Sequence, residues 1–322
     1  MKLRKYIPGP VRSLSRRFLD RLGSQRDASD TSYDPYDRVA LKAHTDELFH
    51  SREREQPLGT IGRSQLLLQI IEAGYPTPTL EDAYFANLDV LLRGREKPGG
   101  RGRLAIGLGS GRSGSTTLAA LLATAEGACS THENPPVIFW EPDQAQIEFH
   151  MRRFRLLCEY YPLVADVSHW WLNALETFFQ HFPDSRAVGL IRDTDDCARS
   201  FMRIKGYGRG SMNHWAAHGS GVWVANAWDP AYPSYAVPAY AGDDPDRAKL
   251  DVIRRYVLEY NEQLTALAQR LPDRVLLLRT DELSRPSVQK RLFDFLAVAG
   301  RTAKLKLNVR DVSDGEHADF RF

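Results

Sequence analysis

The residues best suited to chemistry in this sequence run from Ile106 to Leu118, reading Ile-Gly-Leu-Gly-Ser-Gly-Arg-Ser-Gly-Ser-Thr-Thr-Leu. The apolar run from Leu104 to Leu108 predicts a buried strand, which opens into a loop at Gly107, Gly109, Gly111 and Gly114. An Ala/Leu-rich helix is expected from about Thr116 to Ala125. Strand, glycine loop and helix together point backbone N–H groups and a helix N-terminus at one anion. Glycine lets that backbone approach the anion without a Cβ in the way. Ser113, Ser115, Thr116 and Thr117 add hydroxyl donors, and Arg112 adds a permanent charge. This pattern predicts a phosphate- or sulfate-binding loop; the plain alternative is a tight turn.

The spacing from Gly109 to Gly114, followed by Ser115 and Thr116, imitates a Walker A loop with one departure. Ser115 stands where that motif has the lysine that reaches the β- and γ-phosphates. The positive charge sits instead at Arg112. A kinase or ATPase built this way lacks its usual transition-state cation, so the loop is expected to hold a nucleotide without cutting a γ-phosphate.

Gly-Ser-Gly-Arg112-Ser-Gly-Ser-Thr116-Thr-Leu118 resembles the 5′-phosphosulfate loop of sulfotransferases that use 3′-phosphoadenosine 5′-phosphosulfate (PAPS). A second stretch, Ala187-Val-Gly-Leu-Ile-Arg192-Asp-Thr-Asp-Asp-Cys-Ala-Arg-Ser200, resembles the 3′-phosphate signature of the same family. There an arginine at a strand end is followed eight positions later by a serine on the next helix. The resemblance covers roughly 103–300. It implies that Gly111, Arg112, Ser113, Gly114, Ser115, Thr116 and Thr117 hold the phosphosulfate and that Arg192 and Ser200 hold the 3′-phosphate. A forked cation and a hydroxyl suit a terminal phosphate. Without the resemblance, Arg192 and Ser200 read as a surface ion pair and a mid-helix serine. The family's glycine-rich adenine segment is not evident in Leu307 to Phe322.

Sulfuryl transfer needs a base for the acceptor hydroxyl. Cys129-Ser-Thr-His132-Glu133-Asn134-Pro-Pro-Val-Ile-Phe-Trp140 falls where the second strand should end, on the rim that carries the glycine loop. Glu133 is the favoured base, with His132 as its orienting partner or alternative; members of the family use either type here. The bland reading is a pair that caps the turn before Pro135 and Pro136. Asp193, Asp195 and Asp196 open a helix, where the dipole favours acids without any metal role. Cys197 is expected to pack in the core.

From Leu104 onward, short apolar strands near 104–108, 127–131, 163–167, 187–191 and 274–278 alternate with helical stretches. That alternation predicts an α/β fold with a central parallel sheet and helices on both faces. A long helix is expected from about Asp246 to Leu271, striped by Ile253, Tyr256, Val257, Tyr260, Leu264 and Leu267. A closing helix ends near Ala299. Between His214 and Tyr240, Trp215, Trp223, Trp228, Tyr232, Tyr235 and Tyr240 follow no clean period; the segment reads as loop-like cover for an acceptor or as a satellite core. The charges of Arg93 to Arg103 read as solvated, as do Arg152, Arg153 and Arg155 on a helix face, where attraction of an anionic acceptor is the alternative.

The organisation expected is a basic amphipathic arm over 1–26, a helical extension over 27–100 and a sulfotransferase domain over 101–322. The formal charge of +2 makes no case for nucleic acid, but it divides into +7 over residues 1–26 and −5 over the rest. The arm is therefore either a peripheral membrane or partner contact or a loosely ordered terminus. Three widely spaced cysteines, Cys129, Cys158 and Cys197, form no zinc or redox spacing. With no apolar stretch of about 18 residues, a soluble cytoplasmic protein is expected, unlike the family's Golgi members with their membrane anchors. The reading is PAPS-dependent transfer, without a metal, to a carbohydrate or small natural product. A P-loop nucleotide kinase is the alternative enzyme, and an inactive nucleotide-binding module the alternative of another class.

Overall fold

The computed structural model describes residues 81–303, except 83, 86–87, 90–91, 98–99, 134–137, 203–212, 218–221, 227–228, 230 and 237; for 213–217, 222–226, 241–242 and 245 it describes the backbone alone. The expected arm over 1–26, most of the helical extension, Asn134, Trp228 and the segment from Leu307 lie outside the described residues. Those described between 81 and 92 are helical, as the sequence predicts.

The described residues fall into two compact units, one holding 95–204 and 238 onward, the other 205–237 and the residues before 95. The first is built on five strands: β1 (Arg103–Leu108), β2 (Cys129–His132), β3 (Leu163–Val167), β4 (Arg186–Ile191) and a last strand, Val275–Arg279. Every pairing is parallel, in the order β2-β3-β1-β4-last, with β1 central. A strand covered on both faces must be apolar on both, so β1 is buried throughout from Leu104 to Leu108.

Register sorts the side chains. Ala105, Ala165, Val167, Val188 and Leu190 face α1 (Ser115–Leu122) and the closing helix Pro286–Leu296, sharing a core with Leu118, Leu122, Leu292 and Phe293. On the opposite face Ile106 lies beside Asp166 and Ala187. That face meets α2 (Gln144–Leu157), α3 (Trp171–His181) and the long helix. Arg153 of α2 and the Trp171 indole of α3 both approach Asp166 there.

The chain leaves β1 toward β2 and leaves β4 toward the last strand. The crevice at the carboxyl ends of β1 and β4 is therefore the switch point, where α/β sheets bind ligands. α4 (Thr194–Met202) follows β4.

The other unit holds a finding the sequence did not yield. Strands β5 (Asn213–Ala217), β6 (Val222–Asn226) and β7 (Ser234–Ala236) form an antiparallel sheet where a loop-like segment was expected. Its strands of three to five residues are too short to establish a period of two.

The long helix, α5 (Pro245–Arg270), begins at Asp244, whose carboxylate accepts from the Arg247 N–H at 3.0 Å, with Pro245 fitting the first turn. The last strand is β8 (Val275–Arg279) and the closing helix α6 (Pro286–Leu296). Arg95, Lys97 and Arg101 are exposed, as expected, and lie over the rings of Tyr161, Tyr160 and Phe182. One expectation of solvated charge is corrected. Arg153 is fully buried, drawn inward by Asp166. Among the described residues no helix is long and apolar enough to cross a membrane.

Candidate functional site

The loop between β1 and α1 owes its shape to its glycines. Gly114 caps α1 at φ 94°, a conformation that disfavours a side chain, and a Cβ there would come within 2.8 Å of the Thr280 methyl. At Gly109 a Cβ would overlap the Ser113 hydroxyl. No side chain caps α1 and no acid stands in its first turn, leaving its N-terminal amides and dipole for an external anion. Ser113 Oγ is fully buried and has no hydrogen-bond partner. Ser115 and Thr117 are buried, and Thr116 is half-buried.

Neighbouring elements hold the loop's backbone. The Tyr256 hydroxyl donates to the Ser110 carbonyl at 2.8 Å, and the Thr280 hydroxyl donates to that of Ser113. The Cys197 thiol donates to the Gly111 carbonyl at 3.1 Å. Burial pushes that thiol up to about 11, against the pull of Ser110, Arg192 and Arg112, so it fills the floor of the loop and is no nucleophile. Cys129 and Cys158 are likewise raised by burial, to about 11 and about 12.

The second motif meets the first across the crevice. Arg192, just past β4, donates through its guanidinium to the Arg112 carbonyl at 2.9 Å. The Nε of Arg112, itself at φ 52°, donates to Ser200 Oγ at 3.2 Å. Residues some 80 positions apart thus form one cationic cluster at the switch point. The acids of α4 are turned to other uses. Asp193 caps the helix by accepting from the Asp196 N–H at 2.9 Å, Asp195 pairs with Arg254 at 2.7 Å, and Asp196 pairs with Arg199 at 2.8 Å.

The third cluster lies at the carboxyl ends of β2 and β3. His132 is buried, and its Nε2 is 2.8 Å from Ser115 Oγ and 3.9 Å from a Glu133 carboxylate oxygen. Glu133 sits at φ 47°, held by its N–H donating to the Val167 carbonyl at 3.0 Å. A non-glycine residue kept in this left-handed region is a mark of sites where the fold over-determines the backbone. The same carboxylate oxygen is 3.4 Å from Nδ1 of His169, a residue the sequence reading missed. Its ring stacks on Trp170 at 3.8 Å between centroids, and its carbonyl accepts from the Tyr260 hydroxyl at 3.0 Å. The signal was available: Ser168-His169-Trp170-Trp171 leaves the carboxyl end of a predicted strand, as His132 and Glu133 do.

Beneath this cluster Asp166 is buried and heavily engaged. Its two oxygens accept from the Thr131 hydroxyl at 2.7 Å and the Trp171 indole at 2.9 Å, and Arg153 lies 3.9 Å away. His150, packed edge-on against Trp171, is held well below its usual 6.5 by burial and by the nearby Arg153 charge.

The chain is similar to the sulfotransferase domain of the Synechococcus PCC 7002 olefin synthase, at 17% identity and a TM-score of 0.38 over 65% of this chain and 78% of that one. It is also similar to a sulfotransferase domain from the curacin biosynthetic pathway, at 18% identity and a TM-score of 0.41 over 62% of this chain and 75% of that one. For a sulfotransferase from Alicyclobacillus acidocaldarius the values are 15% and 0.38, over 63% and 85%. No protein-family model matches the chain, and no curated protein matches it.

Proposed function

We propose that this chain is a sulfotransferase that moves the sulfuryl group of PAPS to an acceptor hydroxyl. One observation supports this best: Arg192 on the Arg112 carbonyl and Arg112 on Ser200 join the two anion motifs into one cluster. A donor with phosphate groups at both ends of its ribose calls for two such sites together. The uncapped start of α1 and the unpartnered Ser113 hydroxyl suit an anionic ligand. The residues from Gly111 to Thr117 would hold the phosphosulfate, and Arg192 with Ser200 the 3′-phosphate.

In the transfer, the acceptor oxygen would attack sulfur as the bond from sulfur to the bridging oxygen breaks, releasing 3′,5′-ADP. The acceptor proton would pass to Glu133, and Arg112 would neutralise the charge that builds on the bridging oxygen. A carbohydrate or small natural product is the acceptor we favour. Calorimetry with 3′,5′-ADP, 5′-AMP and ATP–Mg²⁺ tests the proposal: 3′,5′-ADP should bind far more tightly than 5′-AMP, with magnesium irrelevant. Tight ATP–Mg²⁺ binding without any preference for a 3′-phosphate would favour a kinase. The arm over 1–26 is proposed as a peripheral contact for anionic surfaces; its deletion should abolish salt-sensitive vesicle binding and spare nucleotide binding.

A further inference from the structure

We infer that His169 is the positioning residue of the Glu133 carboxylate, and that His132 belongs to the donor loop. The inference deepens the proposed sulfotransfer but can be decided without a nucleotide.

It rests first on what each imidazole nitrogen can do. A ring nitrogen makes one hydrogen bond, as donor or as acceptor. The His132 Nε2 that faces Glu133 at 3.9 Å lies 2.8 Å from Ser115 Oγ. The shorter contact takes that nitrogen, because 3.9 Å is beyond hydrogen-bond reach. His169 presents Nδ1 to the same carboxylate oxygen at 3.4 Å, an ion-pair approach longer than a hydrogen bond but the closer of the two.

The fold also fixes both partners in this arrangement. Parallel register sets His132 beside Val167, so Glu133 and Ser168 leave adjacent strands together. The Glu133 N–H is bonded to the Val167 carbonyl at 3.0 Å, and the Ser168 N–H to the Gly107 carbonyl at 2.9 Å. Trp170 fixes the plane of the His169 ring, and Tyr260 holds its carbonyl from α5. Among the described residues, the two histidines approach this carboxylate, and Tyr260 reaches His169 through the backbone. An imidazole N–H or imidazolium held here favours the ionised carboxylate that a base must be.

The test is a ¹³C NMR titration of the Glu133 carboxyl in the full-length protein and its variants. His169→Ala should raise its midpoint by about one unit. His169→Asn, whose amide nitrogen can stand in for Nδ1, should restore most of the shift, which a merely structural role would not. His132→Gln should move the midpoint less than His169→Ala does. A midpoint unmoved in His169→Ala, or moved more by His132→Gln, overturns the inference. If His169→Ala does not fold, His169→Phe, which keeps a ring against Trp170 but has no nitrogen, takes its place: a raised midpoint that His169→Asn restores supports the inference, and an unmoved one overturns it. Calorimetry with 3′,5′-ADP on the same samples reports separately on the donor reading, because the carboxyl titrates whether or not a nucleotide binds.

Discussion

The two halves of the carboxyl rim are built differently. At the ends of β1 and β4, neutral hydroxyls, a high-pKa thiol and a guanidinium are spent on the loop's carbonyls. At the ends of β2 and β3, two histidines converge on one carboxylate whose residue has positive φ, above a buried Arg153 and Asp166. The first half is a shaped cradle whose charge does not change near neutral pH. The second holds titratable groups close together, as proton transfer requires. Ser115 and His132 form a side-chain contact between the halves. Damage to the first, Arg112 apart, should appear in affinity, and damage to the second in rate.

The largest expected effect tests that division directly. Glu133→Gln keeps the shape of the side chain but cannot take a proton. Steady-state transfer of sulfate from PAPS to water, the acceptor every solution supplies, should fall roughly 10²–10⁴-fold. Affinity for 3′,5′-ADP should hardly change. A large loss of affinity would show that the two halves are one.

Arg192→Ala is the counterpart in the cradle. Losing a charge-assisted contact to phosphate should cost on the order of 1.5–3 kcal/mol in 3′,5′-ADP binding. The preference over 5′-AMP should flatten with it, because the 3′-phosphate loses its cation, while loss of the contact to the Arg112 carbonyl weakens both nucleotides alike. Titration calorimetry with both nucleotides measures this, and an unchanged preference would place the 3′-phosphate elsewhere.

How far the sequence foretold these halves follows from the kind of signal each leaves. The five parallel strands were legible because strands buried on both faces, such as Leu104 to Leu108, must be continuously apolar. The cradle was legible because Gly109 and Gly114 are demanded by local backbone shape. His169 was not, because its meaning comes from register: it is 36 residues beyond Glu133 and reaches it only when β2 lies beside β3. Arg153 was misread as solvated because its partner, Asp166, interrupts an otherwise apolar strand on another element. Tyr256 and Tyr260 were read as core from their helical spacing; their rings are core, but their hydroxyls reach the two loops.

The base half should also show a pH dependence through His150. Its folded pKa lies well below 6.5 because burial and Arg153 oppose its charge. Above pH 6.5 the ring is neutral in both states and contributes no slope. As pH falls below 6.5, the unfolded chain takes up the proton and the folded chain does not, so stability falls. The limit is about 1.4 kcal/mol per pH unit. Urea unfolding at pH 7.5 and 5.5 should show the loss in the parent and a smaller one in His150→Asn. Equal losses in both would remove His150 from the account.

The smallest effects sharpen the comparison most, because one helix serves both halves. Tyr256 and Tyr260 stand one turn apart on α5, and their hydroxyls go to the Ser110 carbonyl and the His169 carbonyl. Each Tyr→Phe change removes one buried hydrogen bond and little volume, so each should destabilise the fold by about 1 kcal/mol. Their functional signatures should differ. Tyr256→Phe loosens the glycine loop and should weaken 3′,5′-ADP binding a few-fold, with little change in the rate at saturating donor. Tyr260→Phe loosens the His169 backbone and should lower that rate a few-fold at unchanged 3′,5′-ADP affinity. Matched calorimetry and turnover measurements on the two variants would separate these outcomes. If both variants lost affinity and rate together, α5 would be acting as a common support, and the rim would not divide at β1 and β3.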